Sequence, residues 1–249
     1  MKILILIGCL FLGSHALAAP TIQDDTFLSR THDEIYQPRL VGERVSFEYV
    51  GNPDQLHLRS WFPGEIMLID GQTRKVDALR YNAFRDELVW LSDKEQLVRI
   101  EKNRIEGFRI FNTLSGDTLH FEKIQVRVPL RREPVTIFAE VLREGDVSVY
   151  VYRNIRSGGR EIIRDGNVAF QRRVYTDDYV YYLMFPGEEM VSFRKLRRNS
   201  LLRAFPENRR EIRQALRPYI ISFRFSEEAL VRTVDVLEPV LLQAMEKRK

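Results

Sequence analysis

Residues Gly64–Leu91, GEIMLIDGQTRKVDALRYNAFRDELVWL, carry the reading that decides the fold. Asp70-Gly71 stands between two apolar stretches, and Asp-Gly takes the left-handed turn conformations that a tight hairpin demands, so this is a strong hairpin signal. Past it, two β-rich runs, Leu79–Tyr81 and Leu88–Leu91, flank a knot holding Arg80, Asn82, Arg85, Asp86 and Glu87. Asn82 suits a turn, the charges suit its wet outside, and Phe84 can fold back onto a sheet. The knot reads as a corner between strands. It becomes a site only if Arg80, Arg85 and Asp86 line a pocket.

Outward from this corner the same grammar repeats. Strands are expected at Glu87–Leu91, Leu97–Ile100, Gly107–Phe111, Thr118–Ile124, Thr136–Leu142, Val147–Tyr152, Val168–Tyr175, Tyr179–Phe185 and Met190–Phe193. Between them lie the turn signals SGD (115–117), EGD (144–146), RDGN (164–167) and PGE (186–188). Short strands at this spacing, without helical patterns between them, predict an antiparallel meander rather than parallel βαβ units. The expected class is mainly β (α+β): a body at 45–193 forming a sandwich or roll, with a basic helical cap at 194–249. Within the cap, RKLRRNSLLRAF is helical in character, and Ile212, Ala215, Leu216 and Tyr219 share one face of a second helix. Ser226 is the expected N-cap of a third, with Glu227 and Glu228 at its positive end and Leu230, Val231, Val234 and Leu237 along it.

The N-terminus, MKILILIGCLFLGSHALAAP, has a basic Lys2, an apolar run Ile3–Leu12 and the small-x-small pattern Ala16-Leu17-Ala18. It reads as a cleavable export signal over 1–18, too short to span a bilayer, followed by an extended entry segment at 19–44. LIGC has the shape of a lipobox, but lipidation at Cys9 would leave only eight residues before it, and the ordinary signal is the better reading. Export removes the chain's one cysteine, which leaves no thiol nucleophile and no disulfide. A periplasmic or cell-surface location follows, with no transmembrane segment expected after cleavage.

The order DGQTRKVDALRYN, FAEVLREGDVSVYVYR, a tyrosine-rich hairpin and LLRAFPENRREIRQAL resembles uncharacterised exported β-rich proteins of Bacteroidetes-type Gram-negative bacteria. The resemblance implies an envelope location and carries over no activity and no site residues.

Charge is divided along the chain. Residues 19–150 hold 18 basic and 22 acidic side chains, residues 151–249 hold 20 and 13. The basic third favours an anionic partner, and Arg194, Lys195, Arg197, Arg198, Arg203, Arg209, Arg210 and Arg213 are its candidate contacts. A solvated helix face is the plainer reading of those residues. Tyr150, Tyr152, Tyr179 and Tyr181 are candidates for an aromatic platform, against the plainer reading of strands covered on both sides. RSGGRE (156–161) reads as a glycine turn that could cradle an anion.

No P-loop, dinucleotide fingerprint, HExxH or GxSxG occurs. His32-Asp33-Glu34 lacks a second cluster to complete a metal shell, while His57 and His120 belong on the wetter face of strands. No catalytic residue, metal or cofactor is expected. The expectation is a non-catalytic envelope protein, an interaction or structural module presenting its sheet and basic helices to an envelope protein, anionic lipid or glycan. Nucleic acid is not an expected partner. The alternative is an envelope hydrolase acting on glycan through Asp177, Asp178, Glu188 and Glu189.

Overall fold

The computed structural model describes residues 40–46, 53–127, 133–165, 168–187, 189–217 and 226–247. The expected signal with Cys9, the His32 cluster, Glu188 and Tyr219 lie outside them. The described strands, in chain order, are β1 (Gly42–Arg44), β2 (Phe62–Leu68), β3 (Thr73–Asn82), β4 (Glu87–Leu91), β5 (Leu97–Ile100), β6 (Ile105–Asn112) and β7 (Asp117–Val126). They continue with β8 (Val135–Arg143), β9 (Ser148–Tyr152), β10 (Ile155–Asp165), β11 (Val168–Asp177), β12 (Val180–Met184) and β13 (Met190–Phe193). Helices α1 (Arg198–Ala204), α2 (Arg209–Leu216) and α3 (Glu227–Glu246) follow.

Eleven strands form one antiparallel sheet in the order β1-β5-β4-β3-β2-β6-β7-β8-β9-β12-β13, while β10 and β11 pair only with each other. The fold is mainly antiparallel β with a C-terminal helical cap, as expected. Of sandwich and roll, it is a roll: a single sheet that curls on itself without closing.

The opening corner shows the curl. β3 and β8 are four strands apart, which in a flat sheet means about 19 Å. Yet Asp86 Oδ1, at the end of the β3–β4 turn, accepts the Phe138 backbone N–H of β8 at 3.2 Å and the Tyr81 hydroxyl at 2.7 Å. Inside the curl the Tyr81 ring lies 5.6 Å from Phe108, 5.0 Å from Phe121 and 6.4 Å from Phe138. Those four aromatics, with Ile66, Leu79, Leu88 and Ile110, form one apolar core. Close backbone approach permits the bend. A Cβ on Gly64 would meet the Arg109 carbonyl oxygen at 2.3 Å, and one on Gly107 the Phe121 carbonyl oxygen at 2.3 Å.

The corner is therefore a corner, but not a wet one. Asn82 is buried, its Oδ1 capping the Arg85 N–H at 3.1 Å. The backbones of Gln55 and Ile155 bond to Phe84 and Ala83, and Lys102 pairs with Asp86. Arg85 alone of the knot's cations points to solvent.

Beyond β8 the same face of the sheet carries Val149, Val151, Tyr181, Leu183, Val191 and Phe193, covered by Leu201, Leu202, Ile212, Leu216, Leu230, Val234, Leu237 and Leu241 of the three helices. Burying a leucine such as Leu237 fully stabilises by about 1.5–3 kcal/mol. Ser226 caps α3 as expected, its Oγ accepting the Ala229 N–H at 3.3 Å. The helix runs unbroken through Pro239, whose ring stands on the exposed side. Arg143 clamps α3 to the sheet, with Nη1 and Nη2 each 2.9 Å from Glu238 and Nε 2.6 Å from Asp235. Arg143 and the Val147 N–H hold the Glu238 carboxyl below its ordinary range.

Two local expectations change. β1 falls inside the expected entry segment, because Gly42–Arg44 completes the ladder on β5. RSGGRE is not a turn: it lies within β10, where Gly158-Gly159 accommodates a register shift between Ser157 and Arg160.

Candidate binding site

A cavity of about 330 Å³ opens where β11 gives way to β12 and β13 runs toward α1. Its lining is Asp177, Tyr179, Tyr181, Arg194, Lys195, Leu196 and Arg197. Five of the twelve candidate residues thus meet here, three from the basic set and two from the tyrosines. The remaining basic candidates are exposed elsewhere: Arg198 and Arg203 on α1, and Arg209, Arg210 and Arg213 on α2. Arg209 spends its Nε on the Leu202 carbonyl at 3.0 Å.

The four tyrosines do not form one platform. Cross-strand pairs put Tyr150 beside Tyr182, and Tyr181 beside Val151 and Phe193, so Tyr150 and Tyr181 occupy opposite faces. Tyr150 and Tyr181 are buried, and Tyr152 and Tyr179 are half-buried. The Tyr150 hydroxyl donates to Glu122 at 2.9 Å. Period two placed each pair on a common face correctly; which face each pair took depended on strand pairing.

Behind the cavity lies a buried charge network. Arg153, 8% exposed, follows β9 and grips Glu227 with both terminal nitrogens at 2.5 and 2.8 Å. Its Nε reaches Glu140 of β8, 5% exposed, at 2.6 Å. The Tyr181 hydroxyl donates to Glu227 at 2.9 Å, and the Arg153 guanidinium stacks 5.0 Å from the Tyr179 ring. Burial pushes the Glu140 carboxyl up, against the pull of Arg153. His57 Nε2 is 3.9 Å from Glu140. Burial, with help from Arg153, pushes its pKa down to about 3, so the imidazole is neutral. His57 is thus not on a wet strand face; it packs edge-on to Phe121.

At the mouth, Asp178 holds two cations, Arg194 and, at 2.6 Å, Arg156. Burial pushes its carboxyl up, but Arg194 and Arg156 outweigh this and hold it below the usual range. Burial and Asp177 raise Tyr179 to about 12, so its phenol stays a neutral donor. Lys195 and Arg197 have no ion-pair partner among the described residues. The lining holds three cations and two phenols with the Asp177 carboxylate, but Arg194 is held by Asp178 and the Tyr181 hydroxyl by Glu227, which leaves Lys195 and Arg197 to meet an anion. Such a lining has the chemistry to take an anionic group against flat aromatic walls.

Among the described carboxylates of the hydrolase alternative, Asp177 and Asp178 do not converge with Glu189. Asp177 and Asp178 precede β12, and Glu189 follows it, roughly 20 Å away along an extended strand. Two-carboxylate hydrolysis needs about 5–9 Å.

One cluster escaped the sequence reading. His120 and Glu122 of β7, two apart on one face, and Glu144 in the β8–β9 turn place donor atoms within 4.8 Å of one another. The imidazole nitrogens lie 3.7 Å from Glu122 and 3.7 Å from Glu144. Three such donors could hold a divalent cation with open positions for water; the alternating His120-x-Glu122 spacing was the available signal. No described helix is long and apolar enough to cross a membrane.

No protein-family model, curated protein or solved structure matches the chain.

Proposed function

We propose that this protein is a non-catalytic envelope module that binds an anionic group of an envelope partner in the Tyr179–Tyr181–Arg194–Lys195–Arg197 cavity. The observation that carries the reading is the charge imbalance of that cavity. The buried cations behind it are spent on carboxylates, as in Arg153 with Glu140 and Glu227, or Arg143 with Glu238. Here Lys195 and Arg197 face the opening without an ion-pair partner among the described residues. A space of about 330 Å³ is at the small end of ligand sites, suited to a phosphate headgroup or one acidic sugar rather than a long chain. The export signal read in the first 18 residues and the resemblance to exported β-rich proteins support an envelope setting.

Glycerol phosphate and galacturonate, titrated calorimetrically into the chain from residue 19, test this directly. Binding of either, weakened about tenfold or more in Lys195→Ala/Arg197→Ala, is expected, since each charge-assisted contact is worth about 1.5–3 kcal/mol. Equal binding by the double variant, or no binding of either probe by the wild type, rejects the cavity as the receptor.

A further inference from the structure

The β10–β11 ribbon is the part of the fold that the eleven-stranded sheet does not use. Its base is anchored. Ile155 is buried, Tyr175 packs edge-on against Phe84 at 5.3 Å, and the Tyr175 hydroxyl accepts Gln55 Nε2 at 2.7 Å. Past the register shift at Gly158-Gly159 the character changes. On one face three successive rungs pair Arg160 with Arg173, Ile162 with Gln171 and Arg164 with Ala169. These six residues are all exposed, and they include three guanidiniums and no carboxylate. Like charges directly opposite on a ladder oppose pairing, so Arg160 over Arg173 works against the ribbon's own stability.

The apolar side chains decide what kind of partner fits. Ile162 is 66% exposed on the arginine face, and Phe170 is 48% exposed on the other face, across from Ile163. A protein surface docked on the ribbon would cover one of these faces. A lipid interface surrounds the thin arm beyond Arg172, whose ion pair with Asp54 ties that rung to the body, and covers both faces there. Arginine stems lie along apolar surface while their heads reach phosphate, which suits side chains flanking Ile162.

We infer that the outer β10–β11 ribbon is an anchoring arm that enters the headgroup region of an anionic bilayer, with Ile162 and Phe170 inserted and Arg160, Arg164 and Arg173 on lipid phosphates. This arm is independent of the cavity, and either can fail alone.

The test is co-sedimentation of the chain from residue 19 with phosphatidylglycerol vesicles and with phosphatidylcholine vesicles. Binding to the anionic vesicles is expected. It should fall about fivefold for each arginine removed in Arg164→Ala and Arg173→Ala, and at least as far in Ile162→Asp and Phe170→Asp. All four side chains are exposed, and circular dichroism confirms that each variant is folded. Phe170→Trp should in addition shift its emission to the blue, and be quenched by brominated lipid, on adding anionic vesicles. Three results overturn the inference: no binding to anionic vesicles, binding insensitive to Ile162→Asp and Phe170→Asp, or unshifted emission from the vesicle-bound Phe170→Trp variant. Vesicle binding lost only in Lys195→Ala/Arg197→Ala would assign the membrane contact to the cavity instead. Ribbon variants that lose an acidic protein from an envelope extract, with vesicle binding unchanged, would assign the arm to that protein and likewise refute it.

Discussion

Replacing Arg153 with leucine isolates the buried network in one step. Wild-type Glu140 is 5% exposed, and its hydrogen-bonded cation is Arg153, with the neutral His57 at 3.9 Å. Glu227 can turn outward, since its side chain is 27% exposed, but Glu140 cannot. Breaking a buried pair while leaving one charge inside costs about 3–5 kcal/mol, and Arg153→Leu should lose that much at pH 7. Arg153→Leu/Glu140→Leu should recover more than half, because the stranded carboxylate is gone. The pH response fixes the cause. Burial already pushes the Glu140 carboxyl up, and without Arg153 nothing described pulls it back. A raised folded pKa means that the folded variant holds a proton the unfolded chain has released. Stability is then lost as pH rises above the ordinary value of about 4.3, by up to about 1.4 kcal/mol per unit. The deficit against wild type should widen between pH 5 and pH 7. Urea denaturation at both pH values, with m unchanged, measures it. A loss under about 1 kcal/mol at pH 7, or a deficit that does not change with pH, would refute a trapped Glu140.

Three further outcomes follow from particular contacts. His57 is pushed down to about 3, so between its ordinary value and that limit only the unfolded chain takes the proton. Its contribution is present above about pH 6.5 and drains away on acidification by up to about 1.4 kcal/mol per unit; the wild-type-minus-His57→Phe difference in urea stability should fall along that slope. Asp86→Ala removes the acceptor for Tyr81 and Phe138 and the partner of Lys102, and should cost about 2–4 kcal/mol. Neighbouring Arg85→Ala, exposed, should stay within about 0.5 kcal/mol. Gly64→Ala sets a Cβ 2.3 Å from a backbone oxygen and should lower the melting temperature by several degrees, about what 1–2 kcal/mol produces in a chain of this size.

Much of the body was legible because local chemistry set it. The expected boundaries Glu87–Leu91, Leu97–Ile100 and Met190–Phe193 coincide with β4, β5 and β13, where apolar alternation is bounded by turns. Ser226 and the stripe Leu230, Val234, Leu237 were equally plain. What escaped depends on pairing across distance. β10 was hidden because five of its residues, Arg156, Arg160, Glu161, Arg164 and Asp165, are charged and two are glycine; β11 makes it a strand. The curl was hidden because nothing near Asp86 announces Phe138, 52 residues away. For the same reason the basic and tyrosine candidates could be named separately, while their meeting at one cavity could not.

The arrangement of the cap also sets an order of events during synthesis. The wall of Val149, Leu183 and Phe193 is complete once residue 193 has been made, but its largest cover, α3, begins more than 30 residues later, at Glu227. Glu227 and Glu238, the partners of Arg153 and Arg143, arrive with it. A growing chain therefore carries a bare apolar wall, an Arg143 without its carboxylates and an Arg153 held by Glu140 alone until α3 has been made, and contacts spanning 74 and 95 residues close only then. Over that interval the wall is open to chaperones, because no earlier element can bury it.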